Sequence, residues 1–344
     1  MNMYVQLNPA ELRRQIDQTI AKVWKTSRFH PFLMHYDATM CQPLVLKERI
    51  FVQDFLLERQ MTKTAIVTDS TACIPKDLIE KYKITVAPQV LIWGEETLND
   101  GVDIQPQEFY TRIKTAKVMP TTSQVPIMTM QSIFSGLVDK GFDVLGIFIS
   151  SKLSGTMQSA IQGRDALGAG KEKVHVLDSH ATAMATGFQV LAAARAVVNG
   201  ASVMDAKVIT EKARDYTGVY FAVETLEFLH RGGRIGGAQR FIGTVLNMKP
   251  VLVLIDGRVE AVERVRTKSK ALDRIFELVA EKTKGQSPLR LASLHANARD
   301  EAQTLLDRAA KELNAEESIL TEVSPVVGNH AGPGVVGLAY MVGI

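Results

Sequence analysis

Val144-Leu145-Gly146-Ile147-Phe148-Ile149-Ser150-Ser151-Lys152-Leu153-Ser154-Gly155-Thr156-Met157-Gln158-Ser159-Ala160 is the stretch on which the reading of this chain turns. It opens as an apolar run of strand length, breaks into small hydroxyl residues and one Gly, and resumes with residues that can carry a helix. Strand, tight loop and helix in that order describe a crossover in a parallel sheet. Such a junction lies at the carboxyl end of a strand, where unpaired N–H groups at the helix start can receive an anion. Gly155 is followed by Thr156 and no G-K-[ST] is present, so the loop is not a Walker loop. The expected guest is a carboxylate or phosphate that need not belong to a nucleotide.

The surrounding chain repeats this grammar. Ala65–Thr68 reads as a strand ending in Asp69-Ser70-Thr71, Thr85–Trp93 as a second, and Val174–Leu177 as a fourth ending in Asp178-Ser179-His180. Helices are expected from Pro75 to Tyr82, from Pro106, after Pro126, and in the Ala-rich segment running to Gly200. Gly94 to Asp100 reads as a polar turn, and Thr121-Thr122-Ser123 as a polar loop between Pro120 and Pro126. Beyond Gly218 the pattern changes. Two apolar-rich runs between Pro250 and Arg266 are joined by Asp256-Gly257, a hairpin signal. Strands are expected at Leu289–His295, Ile319–Val327 and Gly334–Val342, with helices near Lys270–Lys284 and Asp300–Leu313. The expected fold class is α/β, with a parallel-sheet domain over 62–216 and a smaller α/β domain with a mainly antiparallel sheet over 217–344.

Residues 1–61 read differently. Leu12, Ile16, Ile20, Val23 and Trp24 fall at helical spacing, and a second helix is expected from Leu46 to Arg59. This extension is read as an appendage, helical or disordered, in preference to an interaction arm.

Composition narrows the function. The 344 residues are 46% apolar and 22% charged, ordinary for a folded soluble protein. Forty Lys and Arg against 37 Asp and Glu are scattered along the chain, which argues against nucleic-acid binding. Cys41 and Cys73 cannot build a disulfide framework or a four-thiolate zinc site, and metal-ligand spacing is absent. No apolar segment approaches a membrane span, and Glu11, Arg13, Arg14, Asp17 and Lys22 interrupt the place of a signal-peptide core. The expected location is the cytoplasm, with no stable membrane insertion and at most transient contact with a membrane surface.

Three groups of residues could carry chemistry. Thr121, Thr122 and Ser123 exceed what one helix cap requires, and Ser150, Ser151, Ser154 and Thr156 raise the same question. His230-Arg231-Gly232-Gly233-Arg234-Ile235-Gly236-Gly237 places two Arg among four Gly, a costly pattern unless the backbone must bend or approach something. His330 lies in a Gly/Pro-rich loop, and a lone His is more often structural than catalytic. Ser154 is not in G-x-S-x-G and His330 has no evident acid partner. Neutral donors, Arg and His suit holding an anion, while a serine-dependent hydrolase or acyltransferase using Ser154 and His330 stays open as the alternative.

Taken in register, Asp69-Ser70-Thr71, Gly101-Val102-Asp103-Ile104, Thr121-Thr122-Ser123-Gln124, Ser154-Gly155-Thr156, Asp178-Ser179, Arg231-Gly232-Gly233-Arg234-Ile235 and His330-Ala331-Gly332-Pro333-Gly334 resemble the DegV family of bacterial fatty-acid-binding proteins. The resemblance covers 62–344. It implies a Rossmann-like amino-terminal domain, an α/β carboxyl-terminal domain and a ligand tunnel between them holding a long-chain fatty acid, with no cofactor. It also implies that Thr122 and Ser154 bond the acyl carboxylate, with Ser123, Gly155, Arg231 and His330 around the head group and no catalytic residue. By the same resemblance the protein is a carrier that presents the carboxylate to the ATP-binding subunit of a fatty-acid kinase, for acyl-phosphate formation in phospholipid metabolism. Two segments depart from the family pattern. Val125-Pro126 replaces Pro-Ser after Thr-Ser-Gln, and the Ala- and Thr-rich Ala181–Thr186 replaces a Ser/Gly-rich segment. The first bears on the head-group loop and the second on the acyl channel.

Overall fold

A computed structural model describes residues 63–243 and 248–344, and residues 62–344 form one compact unit. The helices expected before Met61 lie outside the described residues. In chain order the first segment holds β1 (Lys63–Asp69), α1 (Lys76–Tyr82), β2 (Thr85–Ala87), β3 (Val90–Trp93), β4 (Glu96–Asn99) and α2 (Pro106–Ile113). It is followed by β5 (Thr121–Ser123), α3 (Ile127–Val138), β6 (Phe142–Phe148), α4 (Thr156–Asp165), β7 (Val174–Asp178), α5 (Ala183–Val198) and α6 (Val203–Asp215). The last segment runs β8 (Thr217–Ala222), α7 (Glu227–Arg231), β9 (Lys249–Ile255), β10 (Arg258–Val265), α8 (Lys268–Thr283), β11 (Leu289–His295), α9 (Arg299–Glu312), β12 (Glu317–Glu322), α10 (Pro325–Ala331) and β13 (Val336–Val342).

The quoted run becomes β6, an inner strand of a parallel sheet ordered β2-β1-β6-β7. Its last five residues are buried, as are those of β1 beside it, because helices cover both faces. A second sheet of six strands is ordered β10-β9-β8-β13-β11-β12 and is antiparallel except for the pair β11 and β12. Its residues alternate between faces. Tyr220, Val251 and Leu291 pack with α8 and α9, whereas Val219, Phe221, Leu252 and Leu294 face the other way. Helix α5 fills the space on that second face. Every residue from Ala183 to Ala194 is buried, and the helix touches β1 and β6 on one side and β8, β11 and β13 on the other. A helix apolar all round is the expected filling between two sheets.

The structure corrects five expectations. Thr85–Trp93 is not one strand. Pro88 interrupts it, so β2 joins the parallel sheet while β3 turns into a separate antiparallel ribbon ordered β4-β3-β5. The expected turn at 94–100 therefore contains β4, and the expected loop at Thr121–Ser123 is β5, with Leu91 opposite Thr122. Ile319–Val327 is likewise not one strand. It stops at Glu322, and Ser324, whose hydroxyl accepts from the Val327 N–H, opens α10 with Pro325 in its first turn. His330 thus sits on a helix and not in a loop. The hairpin at Asp256-Gly257 forms as read, with Ile255 opposite Arg258. No helix among the described residues is long and apolar enough to cross a membrane.

Candidate functional site

The carboxyl ends of β1, β6 and β7 open onto one cavity of about 240 Å³, which the six-stranded sheet walls on its far side. Thr122, Ser123, Ser154, Gly155 and His330 all line it, and Arg231 does not. The Arg231 side chain is exposed and lies over the Phe228 ring, 5.0 Å from its centroid. Arg234 lines the cavity in its place, donating from Nε to the Leu153 carbonyl at 2.9 Å and from Nη1 to the Gly232 carbonyl at 2.6 Å. The guanidinium is thereby locked at the rim by the loop that carries Ser154.

Ser154 precedes α4, whose N-cap Gly155 has no side chain, and these two residues place the positive end of the helix beside the cavity. The Ser154 Oγ accepts from the Thr156 N–H at 3.3 Å and shares a hydrogen bond with Thr156 Oγ1 at 3.0 Å. Its remaining contact is Gln89 Oε1 at 3.5 Å. A Cβ at position 155 would fall 1.8 Å from Gln124 Oε1, so a larger residue there would displace the Gln124 side chain from its place between the two loops. Gln124 in turn donates to Ser159 Oγ at 2.8 Å, fixing the loop after β5 against α4.

Thr122 meets His330 across the site. Thr122 Oγ1 and His330 Nε2 are 2.7 Å apart, joined from positions 208 residues distant in the chain. Burial, reinforced by the charges of Arg234 and Arg231, pushes the His330 pKa down to about 4, so the imidazole is neutral at pH 7. Its Nδ1 is buried and has no hydrogen-bond partner. A Cβ at position 232 would stand 2.1 Å from that nitrogen, which accounts for one of the four close glycines in the Arg-Gly segment.

Most of the rest of the lining is apolar. Val219 and Phe221 of β8, Leu254 of β9, Val259 of β10 and Leu294 of β11 form the wall, and Val326 and Val327 of α10 join it. Thr182 and Ala183, from the Ala- and Thr-rich segment, line the same space. Thr71 and Gln89 are lining residues that the sequence reading missed, although Pro88 already marked a break just before Gln89. Among the described residues no group of three or more His, Cys, Asp or Glu is placed to hold a metal ion. Neutral donors, a helix start and an Arg at one side of a largely apolar chamber suit an amphiphile with an anionic head. They do not form a triad, because His330 is bonded to Thr122 and its other nitrogen meets no carboxylate.

Residues 63–342 match a family model described as an uncharacterised protein of the DegV family. The chain is 34% identical over 278 residues to the Bacillus subtilis protein DegV, covering 80% of this chain and 98% of that one. Its fold superposes with a TM-score of 0.77 and 34% identity on a Thermus thermophilus DegV family protein solved in a study of fatty-acid binding, covering 82% of this chain and all of that one. It superposes with a TM-score of 0.74 and 33% identity on Bacillus subtilis DegV, described as a fatty acid binding protein, again over 82% of this chain and 100% of the other.

Proposed function

This chain belongs to the DegV family, and on that premise we propose that it binds a long-chain fatty acid in the cavity between its parallel sheet and its six-stranded sheet. The observation that carries the reading is the union in one chamber of Thr122, Ser154, Arg234 and His330 with an apolar wall from four strands of the second sheet. In this reading Thr122 and Ser154 bond the carboxylate, Ser123 and Gly155 flank it, and Arg234 takes the place the sequence reading gave to Arg231. Segments 62–216 and 217–344 act as the two domains that enclose the ligand.

Tail and head then divide the work. About 14 methylenes of a sixteen-carbon chain, at about 0.8 kcal/mol each, contribute roughly 11 kcal/mol before ordering costs. A charge-assisted hydrogen bond adds about 1.5 to 3 kcal/mol. The tail supplies affinity and the head supplies direction. A fixed direction is what a separate ATP-binding kinase subunit needs to phosphorylate the carboxylate, and presenting it to such a subunit is the proposed role of this protein in the cytoplasm. The protein contributes no catalytic group of its own.

Denaturing the purified protein and analysing the extract by mass spectrometry should release long-chain fatty acid. Well-folded protein that is lipid-free and takes up neither palmitate nor oleate would remove the proposal. Thr122→Ala or Ser154→Ala should leave folding nearly intact and weaken palmitate binding by about tenfold, the value of one charge-assisted bond. Acyl-phosphate formation with the kinase subunit should fall further, since a misdirected head is bound but not presented. Titration and turnover assays on the two variants check both parts.

A further inference from the structure

We propose, resting on the fatty-acid reading of the cavity, that Asp69 is the positioning residue of the head-group site. It holds the Gln89 amide so that its oxygen faces Ser154 and sets the direction of the Ser154 hydroxyl. Asp69 ends β1 and is wholly buried, and Gln89 is 2% exposed although it lines the cavity. One Asp69 oxygen accepts from the Ile149 N–H at 2.8 Å. The other accepts from the Thr71 N–H at 3.0 Å, from the Thr71 hydroxyl, and from Gln89 Nε2 at 3.2 Å.

Two of these partners are backbone N–H groups, which can only donate, so both Asp69 oxygens are committed as acceptors. That commitment decides the Gln89 amide. Turned the other way, it would set oxygen against oxygen at 3.2 Å. Gln89 Oε1 is therefore a fixed acceptor directed at Ser154 Oγ, 3.5 Å away. The Ser154 oxygen accepts from the Thr156 N–H, and in the bond it shares with Thr156 Oγ1, which itself accepts from the Val125 N–H at 3.3 Å, the Thr156 hydroxyl is the donor when the Ser154 proton points to Gln89. The Ser154 proton is left on the Gln89 side, at a distance too long to bind it firmly and short enough to orient it. A ligand carboxylate entering beside Gln89 accepts the hydrogen bond that this hydroxyl donates.

The backbone of Gln89 is held as firmly as its side chain. Its N–H donates to Ser70 Oγ at 3.1 Å, Ser70 donates to Asp100 Oδ2 at 2.7 Å, and the Asp100 N–H returns to the Gln89 carbonyl at 2.9 Å. Asp100 also accepts from the Val326 N–H at 3.4 Å, in the helix that carries His330. The buried pair Asp69 and Asp100 thus ties both halves of the head-group clamp to the end of β1. No ligand contact is assigned to Asp69 itself, which acts through Gln89.

A double-mutant cycle on palmitate affinity tests this. Asp69→Asn keeps the shape but brings a donor into a cluster of donors, and should weaken binding by about tenfold. Gln89→Met, which leaves the other Asp69 bonds in place, should do the same and serves if Asp69→Asn does not fold. In a Ser154→Ala background each loss should shrink to less than about twofold, because the hydroxyl being oriented is gone. Equal losses in both backgrounds would mark a merely structural role and overturn the proposal, as would no loss in either. Wild-type protein that binds no palmitate would instead take down the fatty-acid reading, a failure visible before any variant is made.

Discussion

Shortening the acyl ligand from sixteen carbons to twelve should weaken its binding to this protein by roughly 200-fold, with the head group unchanged. Four methylenes at about 0.8 kcal/mol each amount to about 3 kcal/mol, and each 1.4 kcal/mol is a factor of ten. The prediction rests on the wall formed by Val219, Phe221, Leu254, Val259 and Leu294, which offers no polar group to a methylene chain. It also follows from the division of labour between tail and head, because losing one bond at Thr122 or Ser154 costs about tenfold. Titration with palmitate, myristate and laurate in the same buffer reads the slope. A change of less than about fivefold across the four carbons would show that the tail is not buried in this chamber.

How far such a site could be read from the chain depends on whether its signals are local. Val144–Phe148 declared itself because burial on both faces demands an unbroken apolar run, and a run of strand length before hydroxyls leaves few alternatives. Ser154 and Gly155 follow it directly, so their placement came with the strand. Thr121–Ser123 gave no such signal, since three hydroxyl residues on an edge strand alternate no apolar side chains, and only the pairing of Leu91 with Thr122 makes them β. The helix at Pro325–Ala331 was obscured by Val323, Val326 and Val327, which extend the apolar run of β12, although Ser324-Pro325 is a recognisable helix start. Arg231 and Arg234 could not be told apart. Both lie in one Gly-rich segment, and what separates them is the reach of Arg234 to the Leu153 carbonyl, a contact across 81 residues. Gln89 is invisible for the same reason, because its role comes from Asp69 and Ser154, twenty residues behind and sixty-five ahead.

The opposed titrations of His330 and Asp100 should give two variants opposite pH dependences of stability. Burial, with Arg234 and Arg231 adding, lowers His330 from 6.5 to about 4, so the folded state favours the neutral ring. A depressed His contributes stability that is present above pH 6.5 and lost as pH falls toward 4. Burial raises Asp100 from 3.8 to about 6, with the charge of Asp69 adding and its bonds to Ser70, Ser324 and the Val326 N–H opposing. Its ionised form is a burden on the folded state above pH 6, relieved as pH falls toward 3.8. Each shift corresponds to about 3 kcal/mol at 1.36 kcal/mol per pH unit, with opposite sign. In the lipid-free wild type the two nearly cancel between pH 6.5 and 4. His330→Asn should remove the loss and leave the relief, so this variant gains about 3 kcal/mol relative to wild type on going from pH 7 to pH 4. Asp100→Asn should do the reverse and lose about as much over the same interval, whatever its stability at pH 7. Glu322, raised by burial, and His295, lowered by it, remain in all three proteins, so differences between them report the substituted group, together in Asp100→Asn with the Asp69 charge that Asp100 meets. Urea unfolding at pH 7, 5.5 and 4 measures the slopes. Parallel pH dependences in the three proteins would mean that neither group is held in the folded state as the packing around α10 requires.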